Sequence, residues 1–189
     1  MEKKTDRRSA RTKKALKHVM LELLKKKDIS KITVSELSEL ADIGRGTFYL
    51  HFADPYDLLE RLEDELLEQI TVQSAPIMEH VDSSSLLRHL EHIWLYIYEH
   101  MDTFKILMNR RNNGRFMEKF KRYCENSVFS ANKQNAQKTE AAVTEKYTII
   151  YIISGTLGIF QRWIEDGAPI PPEALARIAG NLIIGPPDA

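Results

Sequence analysis

Apolar positions recur at helical spacing from near the start of the chain. Leu16, Val19, Met20, Leu23 and Leu24 form one stripe, which predicts a first helix over about Asp6 to Lys27, with Lys25, Lys26 and Lys27 closing it. Thr33 followed three residues on by Glu36 is a capping-box pattern. It predicts a short helix beginning at Val34, with Ile32 as the staple residue and Leu37, Leu40 and Ala41 inward. Asp42, Ile43 and Gly44 then read as a turn in which Asp42 can take the left-handed conformation, and a third short helix follows over roughly Arg45 to Leu50. Two short helices joined by such a turn predict a helix-turn-helix arrangement.

Asp54 as N-cap and Pro55 at the first helical position open a fourth helix. Its stripe of Leu58, Leu59, Leu62, Leu66 and Ile70 is expected to run toward Ser74 and to connect two domains. After residue 83 the pattern predicts four or five further helices. One is capped in Ser83–Ser85 and carries Ile93, Trp94 and Ile97; a short one runs from Asp102 through Arg111; another covers about Arg115 to Ser130. Glu140 to Asp166 and Glu173 to Ile184 follow, the latter opened by Pro172, with a polar loop near residues 131–139 and a proline-rich tail. No alternating Val/Ile/Thr run is bounded by hairpin turns, so the expected class is all-α. The expected domains are a helix-turn-helix domain over 1–52 and a C-terminal helical domain over 53–189, with the connector at about 54–74.

Composition narrows the class. The chain has 189 residues, 43% hydrophobic and 29% charged, the balance of a folded globular protein. A single cysteine, Cys124, excludes an internal disulfide. The longest uncharged apolar run, Tyr147 to Phe160, is shorter than the roughly 20 residues a bilayer span needs. The expectation is a cytoplasmic protein without a membrane anchor. The net charge of zero hides a division: residues 1–52 carry +6 and residues 53–189 carry −6. Cations crowd the N-terminal half of the first helix, where the helix dipole does not favour them; on charge alone a nucleic-acid-binding segment and a lysine-rich solvated helix are equally good readings.

The segment from Thr33 to Phe52 carries the chemistry. Gly44 and Gly46 leave a helix start open to a phosphate. Arg45 is suited to bidentate contact with guanine, and Thr47 to a hydrogen bond or to a thymine methyl. Tyr49 and His51 are placed to hold phosphate oxygens from the groove rim. Thr33, Ser35 and the basic Lys13, Lys14 and Lys17 are expected on the same backbone, giving many positioning contacts and few reading ones. Of the large apolar residues Phe48, Leu50 and Phe52, some must face the core. Double-stranded DNA is the expected partner.

From Arg8 to Leu59 the chain resembles the N-terminal domain of the tetracycline-repressor (TetR) family of bacterial regulators. The resemblance rests on Ala41 to Phe52, and above all on Gly46-Thr47-Phe48-Tyr49 with His51-Phe52. Asp42 stands where the family's turn glycine would be, and Gly44 where its serine would be. Pro55 replaces a lysine that in the family contacts phosphate, which implies weaker non-specific affinity or compensation from Lys13, Lys14 and Lys17.

The resemblance implies a second domain that dimerises and binds a small effector. The run Tyr147 to Phe160 is apolar all round and must be covered on two faces, and its small residues permit close helix approach. Tyr151, Gly155, Gly158, Ile159, Arg162 and Trp163, with Ile178 and Leu182, are the expected seam of a homodimer, with an ordinary central core helix of a monomer as the competing reading. Trp94, Ile97, Tyr98, Phe104, Leu107, Phe116, Phe120 and Tyr123 are the candidates for an effector pocket, with ordinary core as the competing reading. His80, His89, His92 and His100 lack a third ligand of the right kind, so no metal site is expected, and no cofactor. No nucleophile with a base and orienter and no glycine-rich phosphate loop is present, so an enzyme ranks last. The expected function is a homodimeric regulator, a repressor released from a palindromic operator by an effector, with a pocketless or partner-controlled regulator or an activator as the alternative.

Overall fold

The computed structural model describes residues 2–74, 83–109, 115–131 and 140–184. All regular structure among them is helical: α1 (Glu2–Leu24), α2 (Val34–Leu40), α3 (Arg45–Tyr49), α4 (Pro55–Ser74), α5 (Ser83–Glu99), α6 (Met101–Met108), α7 (Arg115–Ala131), α8 (Glu140–Glu165) and α9 (Pro172–Ile184), with a 3-10 turn at Ile29–Lys31. The all-α expectation holds. The expected breaker Asn112–Gly114, the polar stretch 132–139, the tail from Gly185 and His80 lie outside the described residues, as does the side chain of His89.

The chain divides into two compact units, Met1–Leu66 with Ile106–Gly114, and Leu67–Lys105 with Arg115–Ala189. The division falls inside α4 rather than after residue 52. Leu58 and Leu62 on the first turns of α4 are buried, and Lys17 of α1 forms an ion pair with Glu65. The N-terminal part of the connector is thereby tied to the helix-turn-helix unit.

In the first unit α1 packs on α2 and α2 on α3. Leu16, Met20, Leu23 and Leu24 are buried, as their spacing predicts. The helix ends at Leu24, and Lys25–Lys27 form a turn beyond it whose N–H groups bond back to Leu21 and Leu23. The 3-10 turn then buries Ile29 ahead of Ile32, and Asp28 caps it by accepting from the Ser30 N–H at 2.8 Å. That pair of apolar residues is too short to announce an element by periodicity. On α2 the inward residues are Leu37 and Ser38, whereas Leu40 is exposed. The expected inward position of Leu40 is therefore corrected: this helix of about two turns buries the face through Leu37 and Ser38.

In the second unit α5 packs on α9, α7 on α8, and α8 on α9. The core is aromatic. Phe104 lies 5.8 Å from Phe116 and 5.7 Å from Phe160, and Phe160 lies 5.5 Å from Trp94 and 5.9 Å from Phe120. These tilted and edge-on arrangements suit the quadrupoles of the rings. After α8 the Ala168 N–H bonds to the Trp163 carbonyl at 2.8 Å and the Gly167 N–H to Ile164 at 3.1 Å. This is a Schellman stop, with Gly167 at φ 81°. Ala168 also sits at positive φ, 56°, just before Pro169.

Candidate DNA-binding face

Local hydrogen bonds set the direction of α3. The Thr33 side chain accepts from the Glu36 N–H at 3.3 Å, which starts α2 as the capping pattern predicts. The reciprocal half of the box is absent: the Glu36 carboxylate accepts instead from Lys27 Nζ. At the far end Asp42 adopts φ 52°, so the left-handed turn residue is an aspartate, and the Ile43 N–H bonds to the Ser38 carbonyl at 3.0 Å. The chain re-enters helix at Gly44, which is extended (φ −73°, ψ 147°) and accepts from the Thr47 N–H at 2.9 Å.

Two rings anchor the helix from below. Phe48 is fully buried and Phe52 nearly so, 5.9 Å apart, with Tyr49 edge-on to Phe48 at 5.7 Å. Fixing these inward turns the other positions outward. Arg45, Gly46, Tyr49 and Leu50 are exposed, while Thr47 and His51 are half-buried at the margin. The Arg45 guanidinium donates through Nη2 to the Ser35 hydroxyl, so α2 orients the arginine of α3. Two expected interface residues, Ser35 and Arg45, are thus brought into direct contact. A side chain at Gly44 or Gly46 would meet nothing within 4 Å, and neither has a left-handed φ. Nothing inside the chain demands glycine there.

The basic residues of α1 divide. Lys13 and Lys14 are exposed, as are Arg7, Arg8 and Arg11. Lys17 is only 20% exposed and holds Glu65, so its charge is engaged within the protein. At the start of α4, the Asp54 carboxylate accepts from the Asp57 N–H at 2.9 Å, and Asp57 accepts in return from the Ala53 N–H at 2.8 Å and from Arg61 Nε at 2.8 Å. The Ala53 N–H first, and then Arg61, hold the Asp57 carboxyl below its ordinary pKa. Pro55 occupies the first helical position and Tyr56 beside it is exposed.

The remaining expected residues fall into two groups. Trp94, Ile97, Phe104, Phe116 and Phe120 are buried in the second unit, Tyr98 is exposed against Trp163, and Tyr123 is half-buried; Leu107 is buried but belongs to the first unit. Phe160 and Trp163 join the ring cluster, a membership the sequence pattern missed because α8 is apolar on most sides. Trp163 is therefore inward, with Nε1 donating to the Ile170 carbonyl at 2.9 Å, rather than on an outer seam. Tyr151, Gly155, Gly158 and Arg162 are exposed along α8, Ile159 is half-buried, and Ile178 and Leu182 are exposed on α9. Arg162 pairs with Asp166 one turn on, at 2.8 Å. His92 is exposed and the His100 ring lies tilted against Tyr96 at 4.4 Å; among the described residues no group of three His, Cys, Asp or Glu side chains could hold a metal ion. Burial pushes the Cys124 thiol up to about 12, which suppresses its thiolate. No helix among the described residues is long and apolar enough to cross a membrane.

Two family models match the chain. One, described as bacterial regulatory proteins of the tetR family, matches residues 19–62, and the other, a transcriptional regulator C-terminal region of the same family, matches residues 84–185, more than half of the chain. The chain belongs to the TetR family of bacterial transcriptional regulators. It is 28% identical over 172 residues to an uncharacterized HTH-type transcriptional regulator, YxbF, of Bacillus subtilis, covering 89% of this chain and 43% of that protein. The chain thus spans less than half the length of that curated relative. Among solved structures, a TetR transcriptional regulator from Streptococcus agalactiae aligns with a TM-score of 0.69 at 23% identity, over 97% of this chain and 99% of that one. The fatty acid degradation regulator FadR from Bacillus halodurans aligns with a TM-score of 0.63 at 12% identity, over 92% and 95% of the two chains. Both structures share the fold described above.

Proposed function

We propose that this TetR-family chain is a homodimeric DNA-binding repressor that reads a palindromic operator through α3 and leaves it when a small effector binds the C-terminal unit. The observation that carries the DNA-binding part is the outward face of α3. Arg45 is exposed and oriented by Ser35, beside exposed Tyr49, over a floor of Phe48 and Phe52. A forked guanidinium held in place by a neighbouring helix suits a guanine edge. Tyr49, His51, Thr33, Lys13 and Lys14 supply phosphate contacts, and the open space at Gly44 and Gly46 admits a sugar-phosphate backbone. Lys17 is assigned to the tie with Glu65 instead.

The exposed stripe of Tyr147, Tyr151, Gly155 and Gly158 on α8, with Ile178 and Leu182 on α9, supports a symmetric pairing with a second copy. Exposed tyrosines above glycines on one helix face suit close helix–helix approach across a two-fold axis. Pairing matters for function because two recognition helices one helical turn apart read twice the sequence of one.

For the effector, the supporting observation is Trp94. The residue is 1% exposed, and its Nε1 is buried without an acceptor among the described residues. A buried unpaired N–H is costly, and a small, mostly apolar molecule bearing one oxygen acceptor would relieve it. A regulator that needs no small molecule is the second reading, favoured by the close packing of Phe104, Phe116, Phe120 and Phe160, each at most 2% exposed.

Binding to a selected duplex tests the DNA reading. Arg45→Ala is expected to weaken it by about 1–3 kcal/mol and to relax the preference at one base pair. Lys14→Ala is expected to weaken cognate and scrambled DNA alike and to reduce the salt slope by about one unit. If Arg45→Ala lowers both affinities equally, the base-reading role is wrong.

A further inference from the structure

We infer that Leu50 is a specificity-determining residue of this regulator, selecting thymine by packing against the 5-methyl group. The inference rests on the DNA reading above and assigns a role to a side chain that the pattern of apolar residues places equally well in the core. Leu50 is 80% exposed, more than any other large hydrophobic residue described, whereas its neighbours Phe48 and Phe52 are buried. It is held there by regular geometry. Its backbone is in the right-handed helical region (φ −69°, ψ −18°), and its N–H bonds to the Gly46 carbonyl at 3.2 Å. Leu50 therefore extends the face that carries Arg45, Gly46 and Tyr49 rather than fraying away from it.

An isobutyl group has no donor or acceptor, so it cannot position a phosphate. In the major groove the apolar group that a base edge presents is the thymine 5-methyl, and burying both groups together removes their surface from water. Charge favours this occupant over an apolar protein partner. Residues 1–52 carry a net charge of +6, and Arg45, on the same helix face, is a cation left exposed. A polyanion with methyl groups in its groove satisfies both features of the face at once.

The test uses the full-length protein and the duplex it selects from random sequences. Affinity is measured for that duplex and for copies in which one thymine at a time is replaced by uracil, which deletes only the methyl. The wild type is expected to lose about fourfold at one thymine in each half-site, the worth of one methyl returned to water. Leu50→Ala and Leu50→Gln, both at an exposed position, are expected to keep the wild-type salt slope and to bind the thymine and uracil duplexes alike. If Leu50→Ala preserves the wild-type preference for thymine, the proposal is overturned while the DNA reading stands. If that preference persists and the variant instead changes the mass in sedimentation, Leu50 serves a protein contact and the proposal is equally overturned. If the wild type selects no duplex, both the Leu50 role and the DNA reading fall.

Discussion

α3 and α8 solve opposite problems. α3 is five residues long and buries one large ring, Phe48, yet presents Arg45 and Tyr49 outward, with its C-cap Leu50 exposed beside them. α8 is 26 residues long and buries Ile153, Leu157, Phe160, Trp163 and Ile164, yet leaves Tyr147 and Tyr151 exposed. In both, the inward residues are explained by packing within the protein, and the outward ones are not. The outward set differs in kind: a cation with a tyrosine and a leucine on α3, and tyrosines above glycines on α8. On the proposed function, the difference corresponds to two unlike partners, a charged and grooved one at α3 and a second copy's helix surface at α8. Each helix becomes a place where substitutions inward and outward should separate stability from binding.

The largest effect is expected inward. Phe160 touches Trp94, Phe104 and Phe120, and Phe160→Ala should cost about 3–5 kcal/mol in urea unfolding, because the cavity opens amid rings that cannot all collapse into it. A cost below about 1 kcal/mol would mean that α8 does not form the floor of the aromatic core. Next comes the outward side of the same helix. On the proposed pairing, Tyr151→Arg places like charges across the two-fold axis, and sedimentation should show dimers for the wild type and monomers for the variant, with the far-UV helical signal retained. A dimer of unchanged strength would remove this stripe from the interface.

A smaller effect separates the start of α4 from both helices. Asp57 has its folded pKa held below the ordinary carboxylate value by the Ala53 N–H and Arg61. A depressed carboxylate contributes stability that is present above the unfolded pKa, about 3.9, and is lost as pH falls through the folded value. Asp57→Asn should therefore lower the melting temperature at pH 7, with the gap from wild type closing only as the solution is acidified below about pH 4. A gap independent of pH would show that the carboxylate charge is not what matters. The smallest effect is a gain. Ala168 sits at φ 56°, a conformation that costs an L residue roughly 1–2 kcal/mol, so Ala168→Gly should stabilise slightly after the added freedom of the unfolded chain is subtracted. Thermal unfolding reads this directly, and destabilisation would contradict it.

Much of this is legible in the amino-acid sequence. Thr33, Asp42, Asp54, Pro55 and Pro172 each punctuate a helix for a local reason that needs no tertiary knowledge, and the helices begin where those residues predict. Facing was harder. Ser38 is inward and Leu40 outward on a helix too short for its spacing to define a face, and Leu50 is outward although its apolarity alone suggests core. Trp163 illustrates the same difficulty on a long helix: where apolar residues surround the axis, periodicity does not say which of them meets the core. Lys17 belongs by charge and by family resemblance with the phosphate contacts, and only the proximity of Glu65, far along the chain, reveals its engagement. The aromatic residues of the second unit announce burial but not whether a ligand shares it.

The most direct test of the paired α3 reading is selection of bound sequences from random duplexes by the purified full-length protein. The account predicts an inverted repeat whose half-sites lie about one helical turn, or a whole number of turns, apart. A single unrepeated motif, or no enrichment above the starting pool, would contradict it.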